Sequence, residues 1–386
     1  MHPPHCTITP TVVRSTASKI LTKALPWKAY GRRVTVRCLI DLLLLVASLR
    51  SSLSAVARLF GFGFSPETAR KALHANLPEV PALTQSLVDS LYAFGLSGRN
   101  FRRRKWVVAI DEHKSCFYGD HDTPGIVGGQ KKQGTKYFYG YATAALVHHR
   151  HRYVVGLIAL DGSLKPHQVV ATLMEQMTSR RLRLRGVVLD SGFDSGDTLL
   201  LLQEANLAYT VPLRRKGSGS NRRNECFSHP VGTLEEVSWT TEDSRRKVTT
   251  KAVVIRRSKT EEVKVYAYGG WEAVDAKGAA RMAKKWYRKR FGIETSYRQM
   301  NEGKGRTTAK DVAYRLLLVG LALLLRQIWV WLSGQVAADR GLKPSAWVEA
   351  LPLRRMLDWL RQILRSQYNE EEAVHLGRPL WPLSVA

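Results

Sequence analysis

Trp106-Val107-Val108-Ala109-Ile110-Asp111 places five apolar residues directly before a carboxylate, at the end of the basic stretch Gly98 to Lys105. A run this short, led by an aromatic and β-branched residues, fits a buried strand better than a helix. Working downstream, Gly134 to Val147 is dominated by Thr, Tyr, Phe and Ala, and Arg152 to Leu160 is again apolar. Both read as strands, joined by the polar turn His148 to His151, and three consecutive strands predict an antiparallel meander. Pro166 to Arg181 then reads as a helix, Gly186 to Asp190 as a buried strand, Asp197 to Ala205 as a helix and Ala208 to Leu213 as a strand.

The order β-β-β-α-β-α-β is how a ribonuclease-H-like core is written, whereas a Rossmann domain alternates from its first strand. The expected fold class is therefore α/β, with a mixed sheet. Upstream, residues 36 to 95 carry helical periodicity, and within them Ser54 to Phe60, the glycines Gly61 and Gly63, and the cap Ser65-Pro66 before Glu67 to Leu77 spell helix, turn, helix. That pattern suits a helix-turn-helix DNA reader and equally an ordinary helical hairpin. From Lys216 to Gly270, glycine- and serine-rich turns separate the β-type runs Val248 to Ile255 and Val263 to Tyr268, as in an inserted β domain. Ala279 to Gln299, Val312 to Leu332 and Trp347 to Leu364 return to helix. The division expected is an N-terminal arm (1–35), a helical DNA-binding domain (36–104), the core (105–215 and 273–335) interrupted by a β-rich insertion (216–272), and a helical C-terminal tail (336–386).

The chain has 386 residues, 60 Lys and Arg against 32 Asp and Glu, and a formal net charge of +28, while 44% of it is hydrophobic. The apolar content supports packed cores and excludes a disordered tail. The charge excess repels itself unless a polyanion balances it, so double-stranded DNA is the expected partner. A membrane is not, because the charge-free apolar stretches Leu42 to Leu49 and Leu316 to Leu325 fall short of the roughly 18 to 20 residues of a span, and Arg326 interrupts the second. The polar, proline-bearing opening Met1 to Pro26 is unlike an export signal, which points to the cytoplasm and its nucleoid. Cys6, Cys38, Cys116 and Cys226 lie far apart with no CxxC pair, the pattern of reduced packing thiols.

Two-metal phosphoryl chemistry requires carboxylates brought from separate elements to hold two divalent ions. Asp111 follows the first strand and Asp190 ends the run Val187-Val188-Leu189; in the sheet just described those two strands lie side by side, so the aspartates converge. Neighbouring carboxylates repel unless a cation joins them. Glu294 stands in a helix where residues 281 to 310 hold ten Lys and Arg and only two acids, Glu294 and Glu302. Singly, Asp111 and Asp190 also fit strand-end turn residues. Asp194 and Asp197 fit caps of the helix that follows. Glu112 points away from Asp111 by strand alternation, and Glu112 and His113 flank it closely enough to touch metal or DNA. His148, His149 and His151 fit an exposed turn, Trp286, Trp329 and Trp331 fit core packing, and Lys131, Lys132 and Lys136 fit a solvated loop or a DNA-lining one.

The segment Tyr287-Arg288-Lys289-Arg290-Phe291-Gly292-Ile293-Glu294 resembles the Tyr-x2-Arg-x3-Glu-x6-Lys signature of DDE insertion-sequence transposases of the IS-four-like group. Asp190-Ser191-Gly192-Phe193-Asp194-Ser195 resembles that group's Asp-Arg-Gly-Phe-x-Ser, and Val107 to His113 resembles the first-strand motif of its haloarchaeal-type subgroup. The likeness spans most of residues 105 to 330, with the β-rich insertion between the second and third motifs. It implies a DNA transposase with Asp111, Asp190 and Glu294 as catalytic metal ligands, Mg2+ with Mn2+ able to substitute, and two protomers in the synaptic complex. Tyr287 and Arg290 take the family's phosphate-clamp positions. Two residues depart from the signature: Asn301 stands where it has Lys, with Arg298 and Lys304 the neighbouring candidates for phosphate contact, and Ser191 replaces an Arg. The rival functions are a ribonuclease-H-like structure-specific nuclease and a non-catalytic DNA-binding protein derived from a transposase.

Overall fold

A computed structural model describes residues 7–93, 96, 101, 103–147, 152–216, 222–256, 262–271, 275–342 and 351–369. The turn His148 to His151, half of the basic run 98–105, Trp347 and the proline-rich C-terminal coil lie outside the described residues. The centre is one nine-stranded mixed sheet. Its strands are β1 (Lys105–Phe117), β2 (Val127–Lys132), β3 (Thr135–Leu146), β4 (Val154–Leu160), β5 (Arg183–Leu189), β6 (Ala208–Pro212), β7 (Leu234–Thr240), β8 (Lys247–Ile255) and β9 (Lys264–Gly269). The helices are α1 (Pro10–Ala24), α2 (Val36–Ser48), α3 (Leu53–Leu59), α4 (Pro66–His74), α5 (Val80–Tyr92), α6 (Pro166–Ser179), α7 (Gly196–Glu204), the single turn α8 (Arg222–Glu225), α9 (Ala276–Glu302), α10 (Val312–Asp339) and α11 (Leu353–Tyr368).

The expected meander is present: β3 pairs antiparallel with β1 on one side and with β4 on the other, and β5 and β6 continue the sheet in parallel beyond β1. β1 runs on past the point where the sequence run ends. Its parallel partner β5 stops at Ile110↔Leu189, but β3 keeps pairing to Phe117↔Tyr137. Asp111 is thus a mid-strand residue, not the residue after a strand. The glycine-rich stretch read as a loop contains β2, an edge strand held by β3 through Val127↔Phe138 and Lys132↔Thr135; pairing overrides the low strand propensity of Gly128 and Gly129. Its Lys131 and Lys132 are exposed.

The β-rich stretch adds its strands to the same sheet, because β9 pairs with β6 and β8 with β9. β7, with the alternating Leu234-Glu235-Glu236-Val237, completes that edge. Two aspartates expected to cap α7 instead clamp this extension. Ser195 is the cap, its hydroxyl accepting from Thr198 N at 3.1 Å. Asp194 is buried against the Arg223 guanidinium and accepts from Arg214 N at 2.7 Å, while Asp197 accepts from Asp243 N and Ser244 N at 3.2 and 3.1 Å. Both side chains of the Asp194–Arg223 pair are nearly inaccessible, 0% and 5% exposed. Arg223→Met strands a buried carboxylate and is expected to cost about 3–5 kcal/mol, read as a lower urea midpoint. Restoration of that midpoint in the double variant Asp194→Leu, Arg223→Met checks that the penalty is the orphaned charge.

The N-terminal segment is helical from Pro10, so the expected arm contains α1, which the proline-bearing sequence disguised. Pro10 sits at its first position, behind the cap Thr9. α3 and α4 are the expected helix–turn–helix pair, with Ser65 accepting from Thr68 N at 3.1 Å. α11 packs on this bundle: Tyr368 donates to Asp41 at 2.7 Å and stacks on Phe62 at 4.2 Å, and its carbonyl accepts from Gly61 N at 2.8 Å. α10 is long and apolar enough to cross a membrane by length and composition, more than the broken apolar run suggested, yet 89% of that window is buried inside the protein. Its polar residues are there for internal bonding. Arg326 donates to Gln299 Oε1 and Arg152 O, and Gln327 holds both the N–H and the carbonyl of Val154. Trp329 is buried on the same helix, Trp331 packs beside it, and Trp286 stacks on Trp271 at 4.8 Å, all as packing residues. Among the described residues Cys38, Cys116 and Cys226 are free thiols.

Candidate active site

Strand register brings the first two carboxylates together. Ile110 is paired with Leu189 in the parallel β1–β5 ladder, so the residue after each, Asp111 and Asp190, leaves the ladder at the same level. β1 then continues and fixes Asp111 opposite Thr143 of β3. Asp190 opens the 3-10 turn Ser191–Phe193.

α9 lies across this part of the sheet. Asp275 caps it, accepting from Gly278 N at 2.6 Å, and Gly303 ends it. Tyr287, Arg290, Glu294 and Tyr297 follow one another at spacings of three, four and three, which places them on one face of a helix. That face meets Asp111 and Asp190. The Arg290 guanidinium contacts all three acids: Asp111 Oδ2 at 2.9 Å, Asp190 Oδ1 at 3.4 Å and Glu294 Oε1 at 2.9 Å. Tyr287 donates to Asp190 Oδ1 at 3.5 Å and accepts from Arg290 Nη2 at 3.3 Å.

Tyr297, which the sequence reading passed over, is the positioning residue of this site. Its hydroxyl donates to the Asp111 carbonyl at 2.8 Å and bonds Thr143 Oγ1 at 2.7 Å, deep in the core. The signal that would have found it is its place three residues past Glu294 on the same helical face. The His113 ring lies tilted against Tyr297, with centroids 4.9 Å apart, and burial pushes the imidazole down to about 4, with Lys304 and Lys132 adding to the shift. Glu112 points the other way and pairs with Lys114 at 3.2 Å.

Electrostatics set the chemistry available. Burial pushes Asp111 up to about 7 against the pull of Arg290, and the charges of Asp190 and Glu294 push it further. Arg290 is raised: burial works against its charge, but Asp111, Tyr287, Asp190 and Glu294 outweigh it. Three acids from β1, the end of β5 and α9 thus surround one position that holds a positive charge. A donor set of carboxylate oxygens alone fits a hard divalent cation. With the guanidinium between them, the ligand atoms of the three acids do not all lie within 4.8 Å of one another; among the described residues the acid and histidine groups that do are Asp120 with His121 and Asp122, and His167 with Asp197 and Asp243.

The other two sites expected for phosphate lie apart. Arg298 is exposed one turn beyond Glu294. Lys304 follows the end of α9 and donates to Ser115 Oγ at 3.0 Å, four residues further along β1 than Asp111; Asn301 lines the same recess.

No curated protein matches the chain. A cryo-EM structure of a piggyBac transposase synaptic complex with hairpin DNA is similar in fold, with a TM-score of 0.55 at 12% identity over 94% of this chain and 82% of that one. A family model for the transposase DDE domain matches residues 102–325, which contain Asp111, Asp190 and Glu294 and more than half of the sequence. The chain belongs to the DDE transposase family.

Proposed function

We propose that the chain cuts the ends of an insertion sequence and joins each freed 3′-hydroxyl to target DNA, with Asp111, Asp190 and Glu294 as the carboxylates that hold two divalent ions, Mg2+ or Mn2+ in its place. The observation that carries this reading is the convergence of these three acids on Arg290. Divalent ions bound there would supply an activated attacking oxygen and neutralise the leaving one. The chain's own part is to fix Asp111 through Tyr297 and to offer two phosphate donors, Tyr287 and Arg290, beside the acids. Arginine suits that task because its planar fork binds phosphate bidentately. Arg298 on α9 and Lys304 just past its end extend the phosphate contacts.

The core is ribonuclease-H-like in this reading, the relatives are the IS-four-like group with its haloarchaeal-type subgroup, and the six segments named from the sequence are the functional divisions. The helix–turn–helix pair α3–α4 and the basic surfaces engage double-stranded DNA, two copies of the chain act in one synaptic complex, and the protein works on the nucleoid in the cytoplasm, away from any membrane.

Strand cleavage on end-labelled DNA that carries the gene's own flanking ends tests this. Products ending in a 3′-hydroxyl at the element border are expected with Mg2+ or Mn2+ and none with EDTA. Cleavage in EDTA, or cutting of branched DNA regardless of end sequence, would defeat the proposal. DNA affinity should also fall steeply with salt, log K against log [salt] being linear with a slope near −0.9 per neutralised phosphate. A flat titration would remove the phosphate-binding role of the basic surfaces.

A further inference from the structure

At the far end of β1 from the carboxylates lies a recess of about 380 Å³, lined by Arg50, Lys304, Arg306 and Arg315 together with Ser115 and Asn301. No acidic residue lines it. Among the described residues none of these four cations forms an ion pair, although the protein makes such pairs elsewhere on its surface. Lys304 is set deep, its ammonium held on Ser115 Oγ at 3.0 Å, and burial together with Arg315 and Arg50 pushes it down to about 8. A half-buried ammonium set against two guanidinium groups, with the exposed Arg306 at the rim, is costly unless an anion joins them.

The recess is built, not incidental. Arg315 is held by its Nε donating to Ala309 O at 2.5 Å, with its guanidinium 4.0 Å over the Tyr139 ring. Arg50 comes from the turn between α2 and α3, in a left-handed conformation with φ of 51°. That turn is tied to the segment after α9: Arg306 N donates to Ser51 O at 3.0 Å. Gly305 lies so close that a Cβ there would meet Val46 Cγ1 at 2.5 Å. The recess therefore joins the helical bundle to the end of α9.

Its position selects the anion. Asp111 and Ser115 share one face of β1, four residues apart, which at about 3.3 Å per residue is roughly 13 Å. A duplex strand winds round its axis as it rises about 3.4 Å per nucleotide, so its phosphates are spaced well beyond the axial rise and 13 Å spans about two nucleotides. We infer that this recess binds a backbone phosphate of the DNA strand running on from the cleavage site, so that one strand is gripped at once by the helical bundle and by the end of the Glu294 helix. The inference rests on the transposase reading above.

The test uses the full chain with EDTA present, so that binding is read without chemistry. Duplexes carrying the gene's own flanking ends are substituted with a single neutral methylphosphonate at each position in turn. Wild-type affinity should drop at a position about one to three nucleotides from the cut. In the double variant Arg50→Gln, Arg306→Gln that position-specific drop should vanish, and the salt slope should shrink by about 0.9, the share of one phosphate contact. Lys304→Met, checked for an unchanged melting profile, should do the same at that one position. An unchanged interference pattern and slope in the variants would overturn the inference while leaving the transposase reading intact. A wild-type chain that binds no DNA would overturn both.

Discussion

Asp111→Asn and Glu294→Gln are each expected to lower the single-turnover rate of strand cleavage by about a thousandfold or more, with DNA affinity unchanged within about twofold. Both substitutions keep the side chain's shape and remove its charge. At Asp111 the fold should survive, because the backbone is pinned independently: β3 pairs with it at Thr143 and Tyr297 donates to its carbonyl. The neutral amide also relieves a position where burial and two neighbouring acids already disfavour a negative charge. What is lost is the anionic oxygen that a divalent cation needs. Cleavage by either folded variant at the wild-type rate would mean that the acids around Arg290 are structural.

Arg290→Gln should produce the largest stability change in the site. In the metal-free protein this guanidinium is the counter-charge for Asp111, and both side chains are more than nine-tenths buried. Removing one partner of such a pair costs about 3–5 kcal/mol, because the other charge stays behind. Thermal unfolding in EDTA should therefore show a markedly lower midpoint for the variant. Mg2+ or Mn2+ should then raise the variant's midpoint more than the wild type's, since a ligand that binds only the folded state stabilises it and the variant no longer fills the position with its own cation. Equal midpoints for variant and wild type in EDTA would show that the acids are neutralised some other way.

Much of this arrangement was legible from the residues. The apolar runs before Asp111 and at Val187 to Leu189 revealed strands because burial on both faces leaves no polar alternation, and the order of elements then made the two aspartates neighbours. The lone Glu294 in a basic helix stood out by charge alone. What escaped depends on partners distant in sequence. β2 has poor strand propensity and exists because β3 offers it an edge. Asp194 and Asp197 look like helix caps until Arg223 and the turn at Asp243 fold against them. The apolar helix α10 looked broken at Arg326 because nothing local announces that Gln299 and Arg152 will satisfy the guanidinium. Lys304 was legible as a cation but not as part of a recess completed by Arg50, which lies far earlier in the chain.

The most direct test of the central claim, that Asp111 carries its oxygen to a catalytic divalent ion, is strand cleavage by Asp111→Cys with Mg2+ and with Mn2+ in parallel. Mg2+ is a hard, oxygen-seeking ion that a thiolate serves poorly, whereas Mn2+ tolerates sulfur better. No product is expected from this variant with Mg2+ and recovered cleavage with Mn2+, the wild type cutting with both. Cleavage by the variant with Mg2+ at the wild-type rate would contradict the claim.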